Sequence, residues 1–315
     1  MQAYTVSQWL LFFYIYCFFG WVWECCYVSA RKGKWVNRGF LHGPALPIYG
    51  SGAMVILVST IGVRDNIALI FLFGMISSTI LEFVTGYCME KMFGVRYWDY
   101  SNQPLNLMGH ICLFVSLGWG VFSVLLVRIV HRPIEGIVYM LPDTITDIIA
   151  FVLTIAMAVD FTQSFNEAMD LKAAIEKLAN SNEQIRILAK RLEVASAFVV
   201  DDYNKMKEAS VMNKAGSVGK LKGRISFEND MNERKGVKLA TLQRMTEAVK
   251  ESLKNKIMDE KAANQLLETL ENEKVNLKAD TGRNYKSVFR IMKRNPGAIS
   301  RKHEEELNEI KRMIK

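Results

Sequence analysis

Five long apolar stretches, near residues 8–29, 44–63, 67–89, 105–130 and 144–164, constrain this chain more than any other feature. A helix needs roughly 20 mainly apolar residues to cross a bilayer, and runs such as LLFFYIYCFFGWVW leave no polar face for water. The sequence therefore predicts an all-α polytopic membrane helix bundle of about five spans. Merging spans two and three across Gly62 to Asn66 into a re-entrant hairpin is an alternative that leaves every loop on the same face. Met1 to Gln8 lacks the basic start of a secretory signal, and the first apolar run is too long and aromatic to be a cleaved one, so that span is expected to stay.

Charge divides the chain in two. Residues 1–165 carry nine Lys/Arg and nine Asp/Glu, so the whole formal charge of +8 belongs to the remaining 150 residues. Two domains are expected: a transmembrane domain over 1–165, and a basic, helical or coiled-coil cytoplasmic tail over 166–315, separable near Phe165. Lys and Arg concentrate in the first loop (Arg31, Lys32, Lys34, Arg38) and the third (Lys91, Arg96). The positive-inside rule then predicts a multi-pass plasma-membrane protein with its N-terminus outside and its C-terminus cytoplasmic. All five cysteines lie in apolar runs, where a thiol behaves as a small hydrophobe, which excludes a disulfide scaffold.

Ionisable groups inside a span cost at least about 2.5 to 3.5 kcal/mol on insertion scales and mark functional sites by default. Glu24, Glu82 and Asp160 interrupt spans one, three and five, roughly 6 to 11 Å from the inner helix ends at a rise of about 1.5 Å per residue. His110 enters span four at similar depth. Shared depth argues for a polar cavity facing inward; hydrogen bonds that fix the bundle are the plainer alternative. Spans one and two also resemble spans three and four in plan: each pair has a Glu in its first helix, then an inner loop with Trp and Arg. That is a parallel repeat, of the kind found in some transporters.

Irregular backbone is predicted over Asn37 to Gly50, where Gly39, Gly43, Pro44, Pro47 and Gly50 forbid a regular helix start and form a structural loop. Beside it, Arg38, Arg96, Asp99 and Asn106 complete the candidate cavity residues with Glu24, Asn37, Glu82, His110 and Asp160. The third loop's aromatics, Tyr97, Trp98 and Tyr100, fit an interfacial belt as well as substrate contact.

At these residues the chain resembles a family of bacterial membrane proteins known as putative ABC-transporter permeases. The motifs are F-G-W-x-x-E (Phe19–Glu24), N-R-G-F-L-x-G-P-x-x-P-I-Y-G (Asn37–Gly50), E-x-x-T-G (Glu82–Gly86), W-D-Y-S (Trp98–Ser101), N-L-x-G-x-I-C (Asn106–Cys112), Asp160, and R-I-M-K-R-N-P (Arg290–Pro296). His110 stands where relatives are expected to carry Arg. The resemblance implies transport, with ATP used only through a separate ATPase subunit.

In the tail, Leu171, Ile175, Leu178, Ile185, Leu192 and Val199 form a weak zipper stripe, through which a homo-oligomer could form. The segment 213–225 breaks it with three glycines. Gly216 to Lys220 is no phosphate loop, because the spacing is wrong and Leu221 replaces the magnesium-binding hydroxyl. No cofactor and no metal site are expected in this chain. The basic segment Arg283 to Arg294 fits adsorption to an anionic inner leaflet better than nucleic-acid binding. The sequence thus favours a permease or permease-like subunit. An intramembrane enzyme on a lipid or isoprenoid-linked substrate, with Arg38 and Arg96 holding phosphate, is the alternative; a non-catalytic membrane scaffold is a third.

Overall fold

In a computed structural model, residues 4–33, 35–195, 224–255, 258–279 and 285–314 are described. Val199, Arg283 and residues 213–223 of the glycine-rich break lie outside them. The chain divides into two compact units, Met1–Met169 with Arg290–Lys302, and Asp170–Phe289 with His303–Lys315. Arg290–Lys302 therefore departs from a division at residue 165: a short stretch of the tail returns to the membrane unit.

In the first unit, α1 (Val6–Lys32) starts at Thr5, whose hydroxyl accepts from the Gln8 amide while the Gln8 side chain accepts from the Thr5 amide. This reciprocal cap satisfies two of the free N–H groups at the helix start. Gly33, at φ 63°, ends it. α3 (Ile67–Phe93) is capped by Asn66 and stopped by Gly94 at φ 69°. The expected second span is shorter than the apolar stretch 44–63. Pro44 and Pro47 keep residues 35–46 out of helix, and α2 (Pro47–Thr60) has 14 residues. At about 1.5 Å per residue it is about 21 Å long, less than the roughly 30 Å hydrocarbon core. Residues 105–112 are likewise not helical but form a ribbon, β1 (Asn106–Leu107) against β2 (Ile111–Cys112).

α4 (Leu113–Leu125) continues through a π turn (Leu126–Val130) into α5 (His131–Tyr139). Pro133 explains the widened turn, since it has no amide hydrogen and its ring crowds the carbonyl four residues back. α6 (Asp143–Ala195) carries the chain from the first unit into the second. Four helices among the described residues are long and apolar enough to cross a membrane: Val6–Arg31, Ile67–Phe93, Leu113–Tyr139 and Asp143–Leu188. Large apolar side chains face outward along them, with Phe114 at 78% and Phe151 at 67% exposure. That is the pattern of a surface wetted by lipid, and the protein is a multi-pass membrane protein.

Side-chain contacts show that the helices alternate in direction. At one end Tyr4 and Arg64 meet Glu135, and Ser7 meets Asp147. At the other, the 35–46 loop meets the middle of α6 through Asp160. The core between them contains Phe12, Ile56, Leu57, Ile70 and Leu126.

The second unit is helical. Ile185 and Leu188 of α6 pack against Leu242, Met245 and Val249 of α7 (Arg224–Lys254) and against Leu266 and Leu270 of α8 (Glu260–Ala279). Arg234 of α7 pairs with Glu309 of α10 (Glu304–Ile314). The helix between these, α9 (Tyr285–Arg294), crosses the unit boundary.

Candidate functional site

Two of the three intramembrane acids come together. Glu24 accepts from the Tyr49 hydroxyl at 2.9 Å, and Glu82, 5% exposed, accepts from the Tyr100 hydroxyl at 3.1 Å and the Trp119 indole N–H at 3.0 Å. The Tyr49 and Trp119 rings lie 6.3 Å apart and link the two acids. Among the described residues neither carboxylate has a Lys, Arg or His partner.

The repeat in the sequence becomes specific here. Phe13, Glu24 and Arg38 recur 58 positions later as Phe71, Glu82 and Arg96, and Tyr49 and Gly50 recur 70 positions later as Trp119 and Gly120. In each pair the Glu of the first helix accepts from the aromatic residue of the second. In each, a side chain at the glycine would strike the phenylalanine, Gly50 on Phe13 and Gly120 on Phe71. Small residues of this kind are what let membrane helices approach closely. The inward face repeats too: Ala53, Ile56 and Leu57 are buried, as are Ser123, Leu126 and Val127.

Asp160 occupies a separate cluster. Its carboxylate accepts from the backbone amides of His42 at 2.9 Å and Gly43 at 2.7 Å, and from the Ser164 hydroxyl at 3.2 Å. His42 bridges acids, with Nδ1 2.9 Å from Asp160 and Nε2 3.1 Å from Glu167. Gly43 must be glycine-sized, since a Cβ there would lie 3.0 Å from the Asp160 carboxylate, and Gly39 holds φ 137° beside the Leu46 side chain. Pro47 opens α2. Asn37 accepts from the Trp21 indole at 2.7 Å and donates to the His42 carbonyl at 3.1 Å, closing the loop on itself.

The returning segment Arg290–Lys302 binds this end from both sides. Arg290 and Arg294 hold Glu167 at 2.6 and 2.8 Å. Asn295 donates to the Gly39 carbonyl at 3.0 Å and lies 3.5 Å from Arg38, whose other nitrogen donates to the Tyr97 carbonyl at 3.1 Å. Ile299 and Arg96 exchange backbone hydrogen bonds of 2.7 and 2.9 Å, and Ser300 donates to the Gly94 carbonyl. Arg290 and Arg294 are therefore used inside the protein, although the sequence assigned that segment to the membrane surface.

Arg96, 2% exposed at its side chain, lies 2.7 Å from Glu90 and 3.0 Å from Asp99, and His110 lies 3.0 Å from Glu90. Burial opposes ionisation of Asp99, but bonds from Ser101 and Arg96 outweigh it and lower its pKa. Burial and then Arg96 lower that of His110. Burial, followed by Glu82, raises that of Tyr100. Asn106 is architectural: it donates to the Ser101 and Gln103 carbonyls and accepts from the Gly109 amide. The sequence reading did not single out Tyr49, Trp119, His42, Glu90 or Glu167. The first two were legible through the 58- and 70-residue offsets; the others leave no local trace. No cluster of metal-binding side chains occurs among the described residues.

Residues 11–165 match the model of a family described as "Putative ABC-transporter type IV". The family resemblance carried by the motifs is thus shown for the membrane half. No curated protein and no solved structure matches the chain.

Proposed function

We propose that the chain is a membrane permease, or the permease-like subunit of an ABC-type assembly, with Glu24 and Glu82 at its polar centre. The observation that supports this is the repeated acid–aromatic couple. A buried carboxylate with neutral donors alone remains uncompensated, so it must take a proton or a cation, which is what a transported species or coupling ion supplies. On this reading the short α2 and the irregular 35–46 stretch together complete a fifth crossing, with the N-terminus outside and the C-terminus cytoplasmic. ATP is hydrolysed by a separate subunit. Arg38 and Arg96 already bind protein groups, which weighs against the reading in which they hold a lipid phosphate.

Two measurements test the proposal. A reporter active only outside the cell should give signal in the turn at 140–142, between α5 and α6, and none at Lys315; the reverse overturns the orientation. Vesicles holding the chain and its co-purifying ATPase should show ATP-dependent solute flux that Glu82→Gln abolishes. Chemical change of a lipid without ATP would instead favour the enzyme.

A further inference from the structure

The end of the bundle bearing the N-terminus holds a second polar network, which neither the family match nor the permease reading uses. His131 is 1% exposed and Tyr16 5%, yet both are polar. The Tyr16 hydroxyl is 2.8 Å from Nδ1 of His131, and the Tyr4 hydroxyl is 3.4 Å from Nε2. Tyr4 in turn donates to Glu135, whose side chain is 26% exposed. The four groups form one line from a partly wetted carboxylate to the buried core. The π turn Leu126–Val130 immediately precedes His131, and such turns occur often at functional sites.

We infer that Tyr16, His131, Tyr4 and Glu135 form a proton relay between the bundle core and the aqueous face at the N-terminal end. An imidazole can accept a proton at one nitrogen while releasing one from the other, and here both nitrogens face a phenol. With Nε2 protonated, every donor points the same way: Tyr16 to Nδ1, Nε2 to Tyr4, Tyr4 to Glu135. A proton reaching the Tyr16 oxygen displaces its hydroxyl proton onto Nδ1. The Nε2 proton passes to the Tyr4 oxygen, and the Tyr4 proton passes to Glu135, which releases it to water. One proton enters, one leaves, and the imidazole has exchanged tautomers, so the reverse passage follows the same bonds.

The charged group facing the relay is Arg64, with Nη2 3.3 Å from the Tyr4 hydroxyl and Nη1 3.8 Å from Glu135; Arg128 holds the Arg64 carbonyl. Burial, then the bond to Glu135, pushes the Tyr4 phenol up to about 12, which keeps it a donor. The relay ends at Tyr16, eight residues or about 12 Å of helix from Glu24, so it serves one half of the membrane.

The test uses the full chain labelled with 15N-histidine in phosphatidylglycerol–phosphatidylcholine nanodiscs. With 4 histidines, His131 is assigned by comparison with His131→Gln. A relay makes its buried N–H exchange with water quickly, and Tyr4→Phe, which keeps the ring, should slow that exchange about tenfold or more. Glu135→Gln should do the same if Tyr4→Phe folds poorly. Tyr16 lies on the dry side of His131, away from the water that supplies the exchanging proton, so Tyr16→Phe should leave this rate unchanged. A His131 N–H protected in the wild type overturns the relay, as does exchange unaffected by Tyr4→Phe and Glu135→Gln. Exchange slowed by Tyr16→Phe alone overturns Glu135 as the wet end of the relay. None of these readouts depends on solute flux, so the relay and the permease reading fail separately.

Discussion

The acids of the membrane interior and those at the end bearing the 35–46 loop are held by opposite means. Glu24 and Glu82 rest on hydroxyl and indole donors, whereas Asp160, Glu167, Glu90 and Asp99 each face Arg or His. Compensated charges, once buried, act as fasteners, and breaking one leaves its partner stranded. Uncompensated carboxylates fasten little and remain available to a proton or cation. The same side-chain chemistry therefore builds the protein at one depth and leaves it chemically open at another.

The largest effect should come from removing the fastening altogether. A chain ending at Met169 lacks Ile291, Met292 and Ala298, each no more than 2% exposed, together with Arg294. Burying Ile or Met is worth roughly 1.5 to 3 kcal/mol each, and taking both arginines from Glu167, which among the described residues keeps only His42, adds up to about 3 to 5, against a total domain stability of about 5 to 15 kcal/mol. Such a chain should melt far below the full chain in detergent, and a peptide of residues 290–302 should restore part of the loss. Equal melting would show that the segment merely rests on the membrane unit.

Next comes Glu167→Leu, which strands Arg294 (8% side-chain exposure) and one side of His42. The expected cost is about 3 to 5 kcal/mol by thermal or denaturant melting. Glu167→Gln should cost less, because its amide oxygen still accepts from one arginine.

Much of this contrast was written in the sequence, and part of it was not. Apolar length exposed the long helices, and the sequence placed Glu24, Glu82 and Asp160 within them; Glu82 is buried, and the other two are half-buried. Which of them were compensated could not be read, because Asp160 and its partner His42 are 118 residues apart and their pairing has no local pattern. The shortness of α2 was implicit in Pro44 and Pro47, but apolar composition outweighed them. Tyr16 reads as plain span and His131 as the residue just past the fourth apolar stretch, 115 positions away, so nothing local joins them.

The rule can be carried out of the membrane to Lys238, a half-buried lysine whose hydrogen-bond partner is the Ser181 hydroxyl at 3.3 Å. Burial, then Arg234, lowers its pKa from 10.5 to about 8. A depressed lysine costs stability fully below the folded value, where both states are protonated, and the cost fades as pH rises from about 8 to 10.5. Lys238→Met should therefore raise stability by about 1 to 3 kcal/mol at neutral pH, with the gain shrinking toward pH 10. A gain independent of pH would point to packing instead.

The smallest expected change is the most discriminating. In Glu24→Gln the amide oxygen can still accept from Tyr49, and no cation is stranded, so stability should move by less than about 1 kcal/mol. Glu82→Gln should cost somewhat more, since one of its two donors, Tyr100 or Trp119, must then face an N–H group that cannot accept. The order Glu167→Leu, Glu82→Gln, Glu24→Gln follows from partner chemistry and not from burial, because Glu82 is 5% exposed and Glu167 3%. If burial set the cost, the first two would be equal. If Glu24→Gln proved as damaging as Glu167→Leu, Glu24 would have to be a fastener as well, and a polar centre built from two open carboxylates would lose its basis.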